Sequence, residues 1–311
     1  MMRKLVIGVI VVTVGLAAFW LVTIPSTGPS TDRWMTLPAH NPDLANGRTM
    51  LFAGGCPACH ATPGQDDLTK LGGGAAIKTA FGTFYAPNIS PDPNDGIGRW
   101  REFDFITALA QGTSPSGTHY YPVFPYPSYR NMTLPDVLDL FAYLQTLPPV
   151  AGRSRAHDVP FPFSVRRVVG VWKLLFPGEP FHPDPSQPAA WNRGAYLVNG
   201  PGHCAECHSP RNALGGIKAG QRFAGGPEPE GEEGWVPNIT QKELGSWSAK
   251  DIAYMLETGD TPDGDSVGGS MTKVVKNTAQ LSAADRDAIA TYIKSLPPVD
   301  GPPRPPKKKS E

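Results

Sequence analysis

Residues 56–60 read Cys-Pro-Ala-Cys-His, and residues 204–208 read Cys-Ala-Glu-Cys-His. The 311-residue chain holds four cysteines, and these two clusters use all of them. Two disulfide loops, or one zinc site of four thiolates, would account for the sulfurs alone. Neither accounts for a histidine directly after each second cysteine. In this pentad the two thiols add to the vinyl groups of a haem and the next residue is the proximal iron ligand. The short spacing lets one helical turn present all three groups to one porphyrin face. The expected cofactors are two covalently bound haem c groups, one on Cys56, Cys59 and His60, the other on Cys204, Cys207 and His208.

The chain repeats itself around these clusters. NGRTMLFAGG (46–55) precedes the first and RGAYLVNGPGH (193–203) the second. Downstream, Pro87-Asn88-Ile89 pairs with Pro237-Asn238-Ile239, Trp100 with Trp247, Asp104 with Asp251, and Gly112 with Gly259. Each half closes alike, DLFAYLQTLPPV (139–150) against AIATYIKSLPPV (288–299). The closing segments predict helices with Thr133 and Ser282 as N-caps and Asp136 and Asp285 at the third helical position, ending before Pro148 and Pro297. Leu140, Phe141 and Leu144, like Ile289, Tyr292 and Ile293, fall on one face. The expected fold is all-α, with two tandem class I-type cytochrome c domains behind an N-terminal helix. A domain of about 100 residues has a thin core, and a porphyrin supplies much of the missing apolar volume. The expected division is 1–30 as anchor, 31–150 and 189–300 as the two domains, 151–188 as a Pro-rich linker with a short helix at VVGVWKLLF, and 301–311 as a basic Pro-rich tail.

Arg3 and Lys4 precede an uncharged run from Leu5 to Ile24. Twenty such residues at about 1.5 Å rise cover roughly the 30 Å hydrocarbon core. Bulky Phe19, Trp20 and Leu21 close the run, where a cleaved export signal would place small residues. The run therefore predicts an uncleaved single-pass anchor, with a cleaved signal or a buried core helix as alternatives. The positive flank sets the N-terminus in the cytoplasm and the remainder outside, in the periplasm at a bacterial inner membrane. Lys+Arg and Asp+Glu balance at 28 each, so no global field recruits nucleic acid. Local patches remain at Glu228, Glu230, Glu232 and Glu233 and at Lys307 to Lys309.

The phrases GAYLVNGPGHCAECHSPRNALGG (194–216) and YPVFPYPSY (121–129) resemble the multihaem cytochrome c subunits of bacterial membrane-bound dehydrogenases. Those partners oxidise alcohols, gluconate, fructose or aldehydes in the periplasm. The resemblance spans roughly residues 40 to 300 and implies an electron-transfer subunit, with a dehydrogenase partner as donor and a soluble cytochrome c or terminal oxidase as acceptor. Many such subunits carry three haems, whereas this chain has two attachment clusters.

His60 and His208 leave the opposite face of each iron to be filled. In the second half Met271 lies in the Gly-flanked GGSMTKVVKN, ten residues before Leu281, a usual separation for a ligand loop. In the first half Phe124 stands where relatives with YPAMPY have a methionine. The residues leave three choices there: Met132, His119, or an open iron. The resemblance points to Met132, because similar cytochromes with the Phe version carry methionine at this later position. Met132 could instead staple the last helix. Met50 is expected to pack in the first helix, Met255 in the middle helix, and Met35 lies upstream of the cluster. His40, His157 and His182 read as surface residues, His203 as shaping its loop, Trp172 as packing between domains, and DPNDG (92–96) as a turn.

The expected function is a dihaem carrier of single electrons, in which no side chain need act as acid, base or nucleophile. The alternatives are a dihaem enzyme (a peroxidase or an oxidase of sulfur anions) with an open first haem, and a haem-based sensor or assembly protein.

Overall fold

The computed structural model describes residues 2–26, 40–152, 154–230 and 234–304. Met35, Glu232, Glu233 and Lys307 to Lys309 lie outside the described residues. The chain opens with α1 (Met2–Val22), a 21-residue helix with no buried residue, so it is not a core helix.

In the first half, α2 (Leu44–Ala53) starts where the Asp43 carboxylate accepts from the backbone N–H groups of Ala45 and Asn46, at 2.8 and 3.1 Å. It stops at Gly54, and Gly55 turns the chain through the left-handed region, φ 60°, into α3 (Cys56–His60). A hairpin follows, β1 (Ala76–Thr79) antiparallel to β2 (Gly82–Tyr85), with Ala76 opposite Tyr85. Then come α4 (Glu102–Gln111), α5 (Tyr126–Tyr129) and α6 (Leu134–Gln145). After α7 (Val168–Leu175) the second half runs α8 (Ala189–Asn199), α9 (Ala205–His208), β3 (Gly226–Pro227) paired with β4 (Trp235–Val236), α10 (Gln241–Leu244), α11 (Ala249–Thr258), α12 (Met271–Thr278) and α13 (Ala283–Ser295). The fold is mostly helical. The two hairpins depart from the all-α expectation. In β2 the ring of Phe84 is buried against Tyr121 and Val169, which gives the strand a reason to lie flat.

Equivalent signals act at equivalent places. Asp104 and Asp251 accept from the N-cap N–H groups of Arg101 and Ser248, at 3.0 and 2.7 Å, the Ser248 hydroxyl completing a capping box at α11, and Gly112 and Gly259 end those helices in the left-handed conformation. Thr133 and Ser282 cap α6 and α13 by accepting from the N–H groups of Asp136 and Asp285. The main packing is α2 on α6 and α8 on α13. Both crossings need glycine. A Cβ on Gly47 would lie 2.2 Å from the Asp139 carbonyl oxygen, and one on Gly194 would lie 1.9 Å from that of Ala288. Buried Met50, Leu51, Leu144, Leu197, Ile289 and Ile293 belong to one continuous core that runs through both halves.

The halves interlock. α12 packs against α2 and α3, while α5 reaches α9 through the Ser128 hydroxyl, which donates to Glu206 at 3.0 Å. The Thr133 N–H donates to the Tyr196 hydroxyl at 3.1 Å, and Tyr196 in turn bonds Asp136. Residues 154–176 lie along the first half. Asp158 pairs with Thr83, and the Lys173 ammonium donates to the Gln111 and Gly112 carbonyls. Trp172 donates to the Leu214 carbonyl and packs edge-on against Tyr126, joining the two halves.

Two histidines expected at the surface are instead half-buried. His40 Nε2 lies 2.6 Å from the Asp139 carboxylate. Burial alone would raise that carboxyl, but bonds from Asn46, His40 and the Asp43 N–H outweigh it and hold the group below its usual range. His157 accepts at Nδ1 from the Tyr85 N–H and packs against Phe84 and Tyr121. Flanking prolines suggest solvent; long-range partners draw both rings inward. His182 is exposed, and residues 92–96 form a turn bonded to the Asp92 carboxylate.

Alanine in an open helix stabilises by about 1 kcal/mol over glycine. At Gly47 and Gly194 the added methyl meets backbone, so Gly47→Ala and Gly194→Ala should each destabilise the protein by about 1–3 kcal/mol. Urea midpoints followed by far-ultraviolet circular dichroism measure this; a rise in midpoint would mean the helices are not in contact there.

Candidate functional site

The first cluster lies on a single turn. Cys56, Cys59 and His60 occupy the five-residue α3, and Pro57 at its second position is buried. In the second, Cys204 is the N-cap of α9, and Cys207 and His208 lie inside it. No disulfide joins any of the four cysteines. Burial pushes the thiols of Cys56 and Cys207 up to about 12 and those of Cys59 and Cys204 up to about 11. Among the described residues no group of three or more His, Cys, Asp or Glu side chains could hold a metal ion, so the four-thiolate zinc geometry is not found there.

The imidazoles are held alike. His60 Nδ1 lies 2.8 Å from the Pro87 carbonyl, and His208 Nδ1 lies 2.8 Å from the Pro237 carbonyl. A carbonyl oxygen can only accept, so Nδ1 carries the proton and the lone pair lies on Nε2. Burial lowers both histidines below their ordinary value, against the opposing pull of that bond, which keeps the rings neutral. Two thiols on one helical turn beside a neutral imidazole with its lone pair on Nε2 is the donor set a covalent haem requires. The cysteine–histidine pentads therefore fit the group.

Each Pro carbonyl is set by the residue after it. Asn88 donates to the Val150 carbonyl at 2.6 Å and accepts from the Ser90 N–H and hydroxyl, at 2.9 and 2.7 Å. Asn238 donates to Val299 at 2.8 Å and accepts from the Thr240 N–H and hydroxyl, at 2.8 and 2.7 Å. The loop that orients the imidazole is thus tied to the chain just past the closing helix. The N–H groups of Gly73 and Gly225 donate to the backbone carbonyls of His60 and His208, both at 2.8 Å. Both glycines have φ 72°, and a Cβ on either would strike the Pro-Asn loop at 2.5–2.6 Å. The roles of Asn88, Asn238, Gly73 and Gly225 escape a reading of the sequence by residue chemistry. For the asparagines the signal is the repeated Pro-Asn-Ile, visible as a repeat but mute about its purpose.

The two clusters converge. The Gly54 carbonyl, two residues before Cys56, accepts from the Tyr129 hydroxyl at 2.7 Å and lies 3.3 Å from His203 Nε2. Burial pushes the Tyr129 phenol well above its usual value, so it remains a donor, and its ring packs edge-on against His203. His203 takes the left-handed conformation, φ 38°.

Met132 follows α5 and is buried, with 1% exposed, its N–H donating to the Tyr129 carbonyl. Met271 opens α12 rather than sitting in a loop, because Gly269 turns the chain at φ 57° and the next residues are helical; it is partly buried against the core. Met50 is fully buried in α2, and Met255 is partly buried in α11. His119, the third choice for the first iron, is buried with its Nε2 bonded to the Thr23 carbonyl at 2.9 Å.

Residues 192–297 match the family described as cytochrome c. Over 303 residues, 96% of its length, the chain is 46% identical to a diheme cytochrome c-type protein of Cereibacter sphaeroides, which it covers completely. It is 37% identical over 263 residues to the fructose dehydrogenase cytochrome subunit of Gluconobacter japonicus, covering 83% of this chain and 54% of that subunit. It is 35% identical over 267 residues to the gluconate 2-dehydrogenase cytochrome c subunit of Pantoea cypripedii, a match over 81% of this chain and 59% of that one.

Asn88→Ala removes the bond to the Val150 carbonyl and the acceptor of the Ser90 N–H and hydroxyl. The expected cost is about 1–3 kcal/mol, and with a haem bound on Cys56, Cys59 and His60 the loosened His60 ring should cost part of the low-spin ferric spectrum. Asn238→Ala should do the same for a haem bound on His208. Paramagnetic resonance of each variant reads this, and unchanged spectra in both would separate the asparagines from the imidazoles.

Proposed function

Because the chain belongs to the c-type cytochromes, we propose that it is a membrane-anchored dihaem carrier taking single electrons from a dehydrogenase partner and delivering them to a downstream acceptor. Residues 31–150 and 189–300 are its two tandem cytochrome c domains. Residues 1–30 are the anchor, 151–188 the connecting segment and 301–311 the tail. One haem c is held by Cys56, Cys59 and His60, the other by Cys204, Cys207 and His208, with Met132 and Met271 as the sixth iron ligands. A haem iron supplies reversible one-electron chemistry when bound.

The observation that carries this reading is the matched pair of 2.8 Å contacts from His60 to Pro87 and from His208 to Pro237. A bond at Nδ1 fixes the tautomer and the ring plane and raises the basicity of Nε2. Buried surroundings exclude water and limit reorganisation when the charge changes. Thioether sulfur at the sixth position favours the reduced ion and raises the potential. Burial of Met132 supports a closed first site, as a carrier needs.

The dehydrogenase partner is inferred from relatives named as cytochrome subunits of fructose and gluconate dehydrogenases. The acceptor would be a soluble cytochrome c or a terminal oxidase. The exposed apolar α1, with Arg3 and Lys4 at its start, supports a single span of a bacterial inner membrane with both domains in the periplasm.

Reduced protein titrated with carbon monoxide should show no spectral shift at either haem. Stoichiometric binding at one would instead indicate an open, enzyme-like site. Met132→Ala and Met271→Ala should each remove part of the methionine–iron charge-transfer absorbance at the red edge and open one haem to carbon monoxide. If either variant keeps the full band, that methionine is not a ligand.

A further inference from the structure

We propose that α7 and the turn before it form a second membrane contact, an apolar face beside the end of α1 that lies in the headgroup–acyl boundary of the bilayer. The inference rests on the reading of α1 as a membrane span.

α1 is exposed along its length, yet Thr23, just past its end, is fully buried. Its carbonyl accepts from His119 Nε2 at 2.9 Å and from the Arg167 guanidinium. That guanidinium also lies 4.3 Å over the ring of Trp20. Gly170 in α7 sits directly against Thr23, where a Cβ would come within 2.8 Å of the threonine Cβ. The helix is therefore seated on α7. If about 30 Å of hydrocarbon is spanned from Leu5 to Ile24, whatever touches Thr23 lies at the membrane boundary.

Arg167, Gly170, Val171 and Leu174 follow the i, i+3, i+4, i+7 spacing of one helical stripe. Leu174 is thus on the face that meets Thr23, about one turn or 6 Å beyond the contact. Leu174 and its neighbour Leu175 are 61% and 58% exposed. On the other side of Arg167, Val165, Phe163 and Phe161 are exposed as well, the last at 82%. The opposite side of α7 is occupied: Val169 is buried with Tyr121, Trp172 bonds Leu214, and Lys173 bonds the end of α4.

An apolar face continuous with the end of a span matches an interfacial helix, whose apolar side sinks roughly 5–10 Å into the headgroup–acyl boundary. Continuity with the end of the span selects lipid as the occupant. A span alone allows rotation about its axis; a span plus this face holds the haem-bearing halves at one orientation to the bilayer.

The test places p-benzoylphenylalanine singly at Leu174, Leu175, Leu16 or Tyr254 in the full haem-loaded chain. Each variant is reconstituted into phosphatidylethanolamine–phosphatidylglycerol vesicles, irradiated, and searched for lipid adducts by mass spectrometry. Tyr254, 55% exposed on α11, is the control away from the face. Adducts at Leu16, Leu174 and Leu175 with none at Tyr254 are expected. Adducts at Leu16 but at neither Leu174 nor Leu175 would overturn the second contact and leave the span intact. Absence at Leu16 would remove the span itself, and equal labelling at Tyr254 would overturn the face as specific.

Discussion

A neutral imidazole can hold a metal only through the nitrogen that does not carry its proton, so something must choose the tautomer. Here a backbone carbonyl chooses it twice, Pro87 for His60 and Pro237 for His208. The rest of each half can be understood as holding that carbonyl still. The asparagine that follows ties the loop to the chain beyond the last helix, and the last helix packs against the one that leads into the cysteines. Glycine at that crossing brings the two backbones into contact and sets the distance between cysteine helix and imidazole-orienting loop.

The same geometry explains why the halves are not beads on a string. The carbonyl of Gly54, beside the first cluster, takes a bond from Tyr129 in its own half and contacts His203 beside the second. α12 rests on α2 and α3, and α5 answers it against α9. Each cluster is partly walled by the other half, so a shift in one is felt where the other is built. For the proposed carrier of electrons between two haems, such rigidity would limit the variation in their separation.

The N-terminal helix joins this frame at its end. Thr23 is gripped by His119, Arg167 and Gly170, so the end of the N-terminal helix is fastened to the folded part. Residues 154–176, with their flanking prolines, look like a tether by composition. In space they clothe the first half and carry the seat for the end of the N-terminal helix.

Local patterns were legible in the sequence. The Cys-x-x-Cys-His spacing, the N-caps at Thr133 and Ser282 and the left-handed stops at Gly112 and Gly259 each depend on residues within about a turn of one another, and the apolar run of α1 on one unbroken stretch of chain, which is the range over which sequence acts directly. The matching halves were legible too, because repetition needs no structure to be seen. What only the tertiary structure decided joins residues far apart. His60 meets a carbonyl 27 residues away, His40 meets Asp139 across 99, His119 reaches Thr23 across 96, and His203 reaches Gly54 across 149. A histidine among prolines has the same local character whether water or a buried carboxylate awaits it. The difference arises only when packing removes water and leaves one partner within reach.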